Sequence, residues 1–332
     1  MSEEEKKEGI GGIPTELLPY DAGNDDLVMG RQEIMLGEER ACVLDAYTKA
    51  GKPNRPNEDA YAIVQSGAQK ELLTAGVFDG ISSVVDLPDL KGVKGARFAS
   101  HFIRMRFLEL AGNPDIGLKD LMIELNRLLG EANSQLEGAD FDKPSTVPST
   151  TATMVRVNTV ENKIEIADCA DSICLVFYKD GSSKVLSFDT NLFHMDGGLK
   201  KIRPEEYKQA KDEGRNVAWG FDNKNNPKDG TYGTGALNGS EMFERYIMSD
   251  QIDLDGVEAI FMSSDGMLPP DLSQYAPEDR RQMLQILREG GCAALKERVN
   301  QAFESGDQSK WTRPSSPDDA TGVFIDLKQV TE

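Results

Sequence analysis

Histidine is almost missing from this chain of 332 residues, with only His101 and His194 present. Two histidines without a Gly-x-Ser-x-Gly turn speak against a Ser-His-Asp hydrolase. The absence of a Gly-x4-Gly-Lys-[Ser/Thr] loop speaks against a P-loop nucleotidase. Cysteine is scarce too. Cys42, Cys169, Cys174 and Cys292 lack zinc-ligand spacing and read as reduced, part-buried thiols of a cytoplasmic protein. No apolar run reaches the roughly 18 residues a membrane span needs, and no signal-peptide pattern opens the sequence, so no membrane association is expected. Basic residues are outnumbered, 37 against 57 acidic ones, for a formal net charge of −20. Neither nucleic acid nor an anionic membrane surface finds a basic footprint here. A phosphorylated ligand is still compatible, because bound cations reverse the sign of the field locally.

What is present is a series of short apolar, β-branched segments bounded by Gly, Asp or Asn. They lie near 40–48, 60–65, 72–78, 151–158, 163–168, 173–178, 184–188, 258–263 and 322–327 and read as strands. Lys179-Asp180-Gly181-Ser182 reads as a hairpin turn between two of them. Helical spacing of apolar residues marks 94–110 and 118–136, and a third helical region covers about 277–304. Runs of strands, a pair of helices and more strands argue for an α+β fold of mainly antiparallel sheets flanked by helices. Residues 1–37 read as a polar extension and 38–330 as one domain. Within that domain, 190–236 is polar and rich in Asn and Gly, in the manner of a lid or flap.

Four acidic stretches are spread along the domain: Asn57-Glu58-Asp59, Val77-Phe78-Asp79-Gly80, Met262-Ser263-Ser264-Asp265-Gly266 and Ser316-Pro317-Asp318-Asp319-Ala320-Thr321. Most sit at the edge of a strand-like run. Carboxylates at strand ends converge in space from distant positions, and converged carboxylates with few basic partners bind hard divalent cations. A pair of such cations activates water against phosphate esters. Taken singly, an Asp-Gly is a turn, Asp318-Asp319 is a strand entry, and Asp171 opens a hairpin. The conjunction is what raises the metal reading above these.

Six blocks in order resemble the metal-dependent serine/threonine protein phosphatases of type 2C, in their bacterial variant. Asn57-Glu58-Asp59-Ala60, Val77-Phe78-Asp79-Gly80, Ser149-Thr150-Thr151-Ala152, Ile166-Ala167-Asp168-Cys169-Ala170-Asp171-Ser172, Ser264-Asp265-Gly266 and Asp318-Asp319-Ala320-Thr321 carry the likeness. The resemblance implies a sandwich of two antiparallel β-sheets flanked by helices (αββα), with a metal site at one edge. It implies that Asp79 bridges two Mn2+ or Mg2+ ions, that the Gly80 carbonyl binds one of them, and that Asp265 and Asp318 complete the set. Glu58 and Asp59 would hold metal-bound waters, and Asp171 would help bind a third, looser ion. A water or hydroxide between the cations would hydrolyse phosphoserine or phosphothreonine in proteins, without a covalent phosphoenzyme. The partner would be a phosphorylated protein, the reaction would oppose a Ser/Thr kinase, and the protein would be a monomer.

The pattern is not complete. The phosphate-binding arginine of the family usually lies four residues before the glutamate. Asn54 holds that place here, and Arg55 is one residue nearer. Ile81 stands where many relatives carry histidine, Ala170 where a glycine precedes Asp-Ser, and Asp319 where asparagine is usual. The competing reading is a type 2C-like fold of weak or no activity, serving as a signalling or scaffold module. Retention of Asp79, Asp265 and Asp318 favours the enzyme.

Overall fold

The computed structural model describes residues 27–38, 40–52, 55–81, 86–187, 225, 235–307, 309 and 317–329. In chain order the elements are β1 (Leu27–Leu36), β2 (Arg40–Lys49), β3 (Ala60–Ser66), β4 (Leu72–Phe78), β5 (Gly80–Ile81), α1 (Gly95–Leu110), α2 (Leu118–Asn133), β6 (Ser149–Thr150), β7 (Ala152–Asn158), β8 (Lys163–Cys169), β9 (Ile173–Tyr178), β10 (Ser183–Val185), β11 (Met248–Asp253), β12 (Val257–Ser263), α3 (Pro277–Ser305) and β13 (Ala320–Gln329).

Two antiparallel sheets stack face to face. One has the order β1-β2-β13-β12-β9-β10, the other β11-β8-β7-β4-β3, and β5-β6 forms a small separate ribbon. The period of two along each strand builds three apolar layers. On β13, Val323, Ile325 and Leu327 point between the sheets, where they meet Val77 and Val155 from the second sheet. Phe324 points the other way, against Leu287 and Leu295 of α3. The outer face of the second sheet is covered by α1 and α2, through Phe98, Phe102, Leu121 and Leu125. The result is the expected αββα sandwich.

The strand-like segments read from sequence recur in the structure, and the 179–182 turn closes with Tyr178 N–H on the Ser182 carbonyl at 2.9 Å. The N-terminal boundary needs correction. Residues 27–36, assigned to a polar extension, form β1 and pair with β2 from Leu27↔Thr48 to Leu36↔Arg40. Its centre, Gly30-Arg31-Gln32-Glu33, is polar because an edge strand needs pairing more than burial, and a bulge there interrupts the alternation. β11 also escaped the reading, since this edge strand is almost wholly exposed. Residues 1–26 and nearly all of the expected flap at 190–236 lie outside the described residues. Among the described residues no helix is long and apolar enough to cross a membrane.

Candidate functional site

Strand register brings the acidic blocks to one end of the sandwich. Asp79 follows the last residue of β4, which pairs with the first of β3 as Phe78↔Ala60, so Asp59 and Asp79 are neighbours across that pair. In the other sheet Asp265 follows β12 and Asp318 precedes β13, and these strands meet at Ser263↔Gly322. Ser263 also faces Ile173, the first residue of β9, so Asp171 belongs to the same end. Each acid stands where a strand stops and the ladder no longer dictates the path of the chain.

Backbone hydrogen bonds fix these turns. The Asp79 N–H donates to Thr151 Oγ1 at 3.1 Å, and its carbonyl accepts from Thr150 Oγ1 and from Thr151 N–H, both at 2.8 Å. The threonine pair of the third block is thus the clamp on Asp79. Thr151 Oγ1 also bonds Ser172 Oγ at 2.6 Å, linking the clamp to the Asp171 turn. That turn carries Ala170 at φ +79°, the left-handed region that glycine occupies freely and that costs an L-residue about 1 kcal/mol. Ser264 Oγ donates to Asp59 Oδ2 at 2.7 Å and accepts from Thr321 N–H at 2.9 Å. Thr321 Oγ1 bonds Thr48 Oγ1 at 2.5 Å, and Thr48 accepts from Asn57 Nδ2 at 2.7 Å. From α1, Arg97 and Ser100 each donate at 2.5 Å to the carbonyls of Asn57 and Glu58. His101 on the same helix lies against this loop rather than in solvent. Burial, with Arg97 and Arg104 adding to it, pushes its imidazole down to about 3, so it stays neutral.

Asp319, which stands where the resembled pattern has asparagine, has a physical explanation. Its Oδ1 accepts from Gly51 N–H at 2.7 Å and its Oδ2 from Glu58 N–H at 2.6 Å. Both oxygens are used, and an amide has only one. Asp319→Asn therefore turns a donor onto a donor at one of the two bonds. The expected cost is about 1–3 kcal/mol, read as a lowered midpoint in urea unfolding with unchanged slope. A midpoint equal to wild type would mean that the loop re-forms around the amide.

The carboxylates act on one another. Asp79 keeps some surface exposure, but protein packed about its carboxyl pushes it well above the usual carboxylate range, and Asp59, Asp265, Asp171 and Asp318 push it further. Asp59 is raised by burial first, then by Asp319, Asp318 and Asp265, against the Ser264 hydrogen bond. Asp318 is pushed up to about 6 by loss of water and by Asp265, with the Asp319 N–H and Lys52 opposing. A buried cation set into this field is Lys296 of α3, whose Nζ donates to the carbonyls of Gly266 and Asp318 at 3.3 and 3.2 Å. Burial pulls its ammonium below the ordinary lysine value, while Asp59, Asp318, Asp319 and Asp265 pull it back up.

Among the described residues no three acidic, histidine or cysteine side chains stand close enough to hold an ion between them as they are. What the acids share is a field of one sign, with hard oxygen donors and little basic compensation. That donor chemistry fits Mg2+ or Mn2+. Of the residues singled out from the sequence, Asp59, Asp79, Asp171, Asp265 and Asp318 are brought together. Glu58 lies in the loop that carries Asp59, with its N–H on Asp319, and Gly80 follows Asp79 as the first residue of β5. Arg55 is exposed, in a turn closed by its N–H on the Lys52 carbonyl at 3.3 Å. Thr48, Ser264, Asp319, Thr321 and Lys296 were not foreseen in their bonding roles. Lys296 left a signal, since it occupies the buried stripe Cys292, Leu295, Lys296, Val299 of α3.

No protein-family model and no curated protein matches this sequence. Solved structures share its architecture. A serine/threonine phosphatase of S. agalactiae superposes with a TM-score of 0.54 at 14% identity, covering 86% of this chain and 100% of that one. The Mycobacterium tuberculosis serine/threonine phosphatase PstP/Ppp gives 0.52 at 18% identity, covering 87% and 99%. A C. elegans sex determining protein gives 0.51 at 13% identity, covering 85% and 64%. At these identities what is shared is the fold.

Proposed function

We propose that this chain, whose sandwich is that of the bacterial type 2C-like serine/threonine phosphatases, hydrolyses phosphoserine or phosphothreonine in proteins with the help of divalent cations. One fold hosts unrelated functions, so the proposal rests on the site. Its main support is the gathering of Asp59, Asp79, Asp171, Asp265 and Asp318 into one field at the end of the sandwich. Asp79, Asp265, Asp318 and the Gly80 carbonyl would hold two ions, with Asp171 serving a third. When bound, Mn2+ or Mg2+ would supply an activated water and electrostatic stabilisation of the phosphoryl oxygens.

The chain's own residues do the positioning. The threonine clamp leaves the Asp79 carboxylate as the free part of a fixed residue. Asp59, bonded by Ser264, and Glu58, anchored through its backbone at both ends, would orient water. No nucleophilic Ser, Cys or His is required. The far end of the expected flap returns next to the clamp, since Leu237 and Thr150 exchange both backbone bonds at 2.9 and 3.0 Å. A flap over 190–236 would give a protein substrate a wall to lie against, and the reaction would undo the work of a Ser/Thr kinase.

Purified protein should release phosphate from a phosphothreonine peptide with Mn2+ and not with excess EDTA. Folded protein that releases none at saturating Mn2+ would favour the scaffold reading instead. The arginine makes a separate prediction. An exposed Arg55 is available to form a two-pronged contact to phosphate, which lysine cannot match. Arg55→Ala should lower kcat/KM by at least about tenfold, roughly 1.4 kcal/mol. An unchanged kcat/KM would move the phosphate contact to another residue, with Lys52 the first to test.

A further inference from the structure

We propose that Lys296 is a resident counter-ion of the acidic centre, one that joins the Asp265 and Asp318 loops when no metal is bound and competes with divalent cations that arrive. The inference rests on the metal reading of the site.

A lysine in an apolar helical stripe needs a reason, and the course of α3 supplies it. At Gly291 the helix breaks, with φ +72° and ψ −168°. A side chain there would be strained by the backbone and would meet Asp45 Oδ2 at 2.6 Å. Asp45, buried on β2, accepts from the Cys292 N–H at 2.7 Å. It thereby caps a new start of helix, an arrangement that favours an acid at that end. Lys296 lies one turn beyond this restart. With 5% exposure, its Nζ reaches the carbonyls of Gly266 and Asp318. Those two carbonyls belong to the two loops that carry Asp265 and Asp318. The ammonium thus occupies the seam between them and faces Asp59, Asp265, Asp318 and Asp319. Lys52, which also acts on Asp318, is exposed and screened by water.

A buried ammonium among carboxylates lowers their mutual repulsion, the same task a metal ion performs. Two cations performing one task repel each other. Lysine therefore stabilises the metal-free state more than the loaded one, and removing its charge should shift both in opposite directions. A lysine kept only for packing would show neither shift on replacement by methionine, which preserves the apolar stem.

The test compares wild type, Lys296→Met and Lys296→Arg by two readouts that need no turnover: thermal unfolding in EDTA, and free Mn2+ by electron paramagnetic resonance during titration. In EDTA, Lys296→Met should melt roughly 5 °C lower, because the carboxylates lose their internal partner. The same variant should bind Mn2+ tighter, by roughly three- to thirtyfold, as expected for removing a like charge at short range in a partly screened medium. Lys296→Arg should stay near wild type in both. Weaker or equal Mn2+ affinity in Lys296→Met, or an unchanged melt in EDTA, overturns the inference. If the methionine variant does not fold, Lys296→Gln keeps a donor without the charge and is held to the same two outcomes. Wild-type protein that binds no Mn2+ would overturn the metal reading itself, and the melts in EDTA would then decide the counter-ion role alone.

Discussion

Asp79→Asn is expected to remove turnover and, in EDTA, to raise the melting temperature. The backbone of residue 79 is held by Thr150 and Thr151, not by its own side chain, so the amide should leave the turn in place. What changes is charge. Asp79 feels Asp59, Asp265, Asp171 and Asp318 at once, and neutralising it relieves like-charge repulsion in a site that protein atoms screen from water. Relief of about 1 kcal/mol corresponds to roughly 2–4 °C in a domain of this size. On the proposed metal reading, the same loss of charge removes the central cation ligand. Turnover should fall on the order of 10³-fold, the upper end of what one electrostatic group contributes. Added Mn2+ should raise the melting temperature of wild type and not of the variant, since only a ligand that binds the native state stabilises it. Mn2+-dependent turnover at the wild-type rate in Asp79→Asn would falsify the central role given to this carboxylate.

The acids were legible in the sequence because each lies beside a run that announces a strand. β4 is seven residues with every side chain buried, bounded by Glu71 and Asp79. β12 and β13 read as clearly, and their antiparallel pairing is enough to bring Asp265 beside Asp318. The bonds that hold the acids could not be read. Ser264 reaches Asp59 across 205 positions, and Thr48 reaches Thr321 across 273. Hydroxyl residues at strand ends are common, and nothing local distinguishes the ones that span the site. β1 and β11 failed for a different reason. These two edge strands are held by ladder bonds along one side and are mostly exposed, so the alternation that identifies a strand is weak in them. Lys296 shows the converse. A charged side chain in an otherwise apolar helical stripe is a local anomaly, and its explanation lies in the Asp45 cap and the break at Gly291, which only the fold brings together.

Gly266→Ala should be strongly damaging although it leaves every charge in the site untouched. A Cβ at this position would lie 1.8 Å from the Asp319 carbonyl oxygen and 2.8 Å from the Asp319 carbonyl carbon. The obstacle is backbone, so no rotamer change relieves it. The two loops are also tied, by the Ser264 N–H on the Thr321 carbonyl at 2.9 Å and by Lys296 across the seam. Either these bonds stretch or the alanine is refused, and both routes move Asp265 away from Asp318. Displacement of about 1 Å at a reacting centre costs on the order of 10²-fold in rate, so kcat/KM should fall by that much. Overpacking of this kind costs about 1–3 kcal/mol, which corresponds to a melting temperature lower by roughly 5–10 °C at its upper range. Gly30→Ala, on the exposed edge strand β1 with no atom within 4 Å of its Cβ, supplies the control and should change neither quantity. Wild-type kcat/KM in Gly266→Ala would mean that the two loops carry their carboxylates independently, and that their close approach has no part in the chemistry.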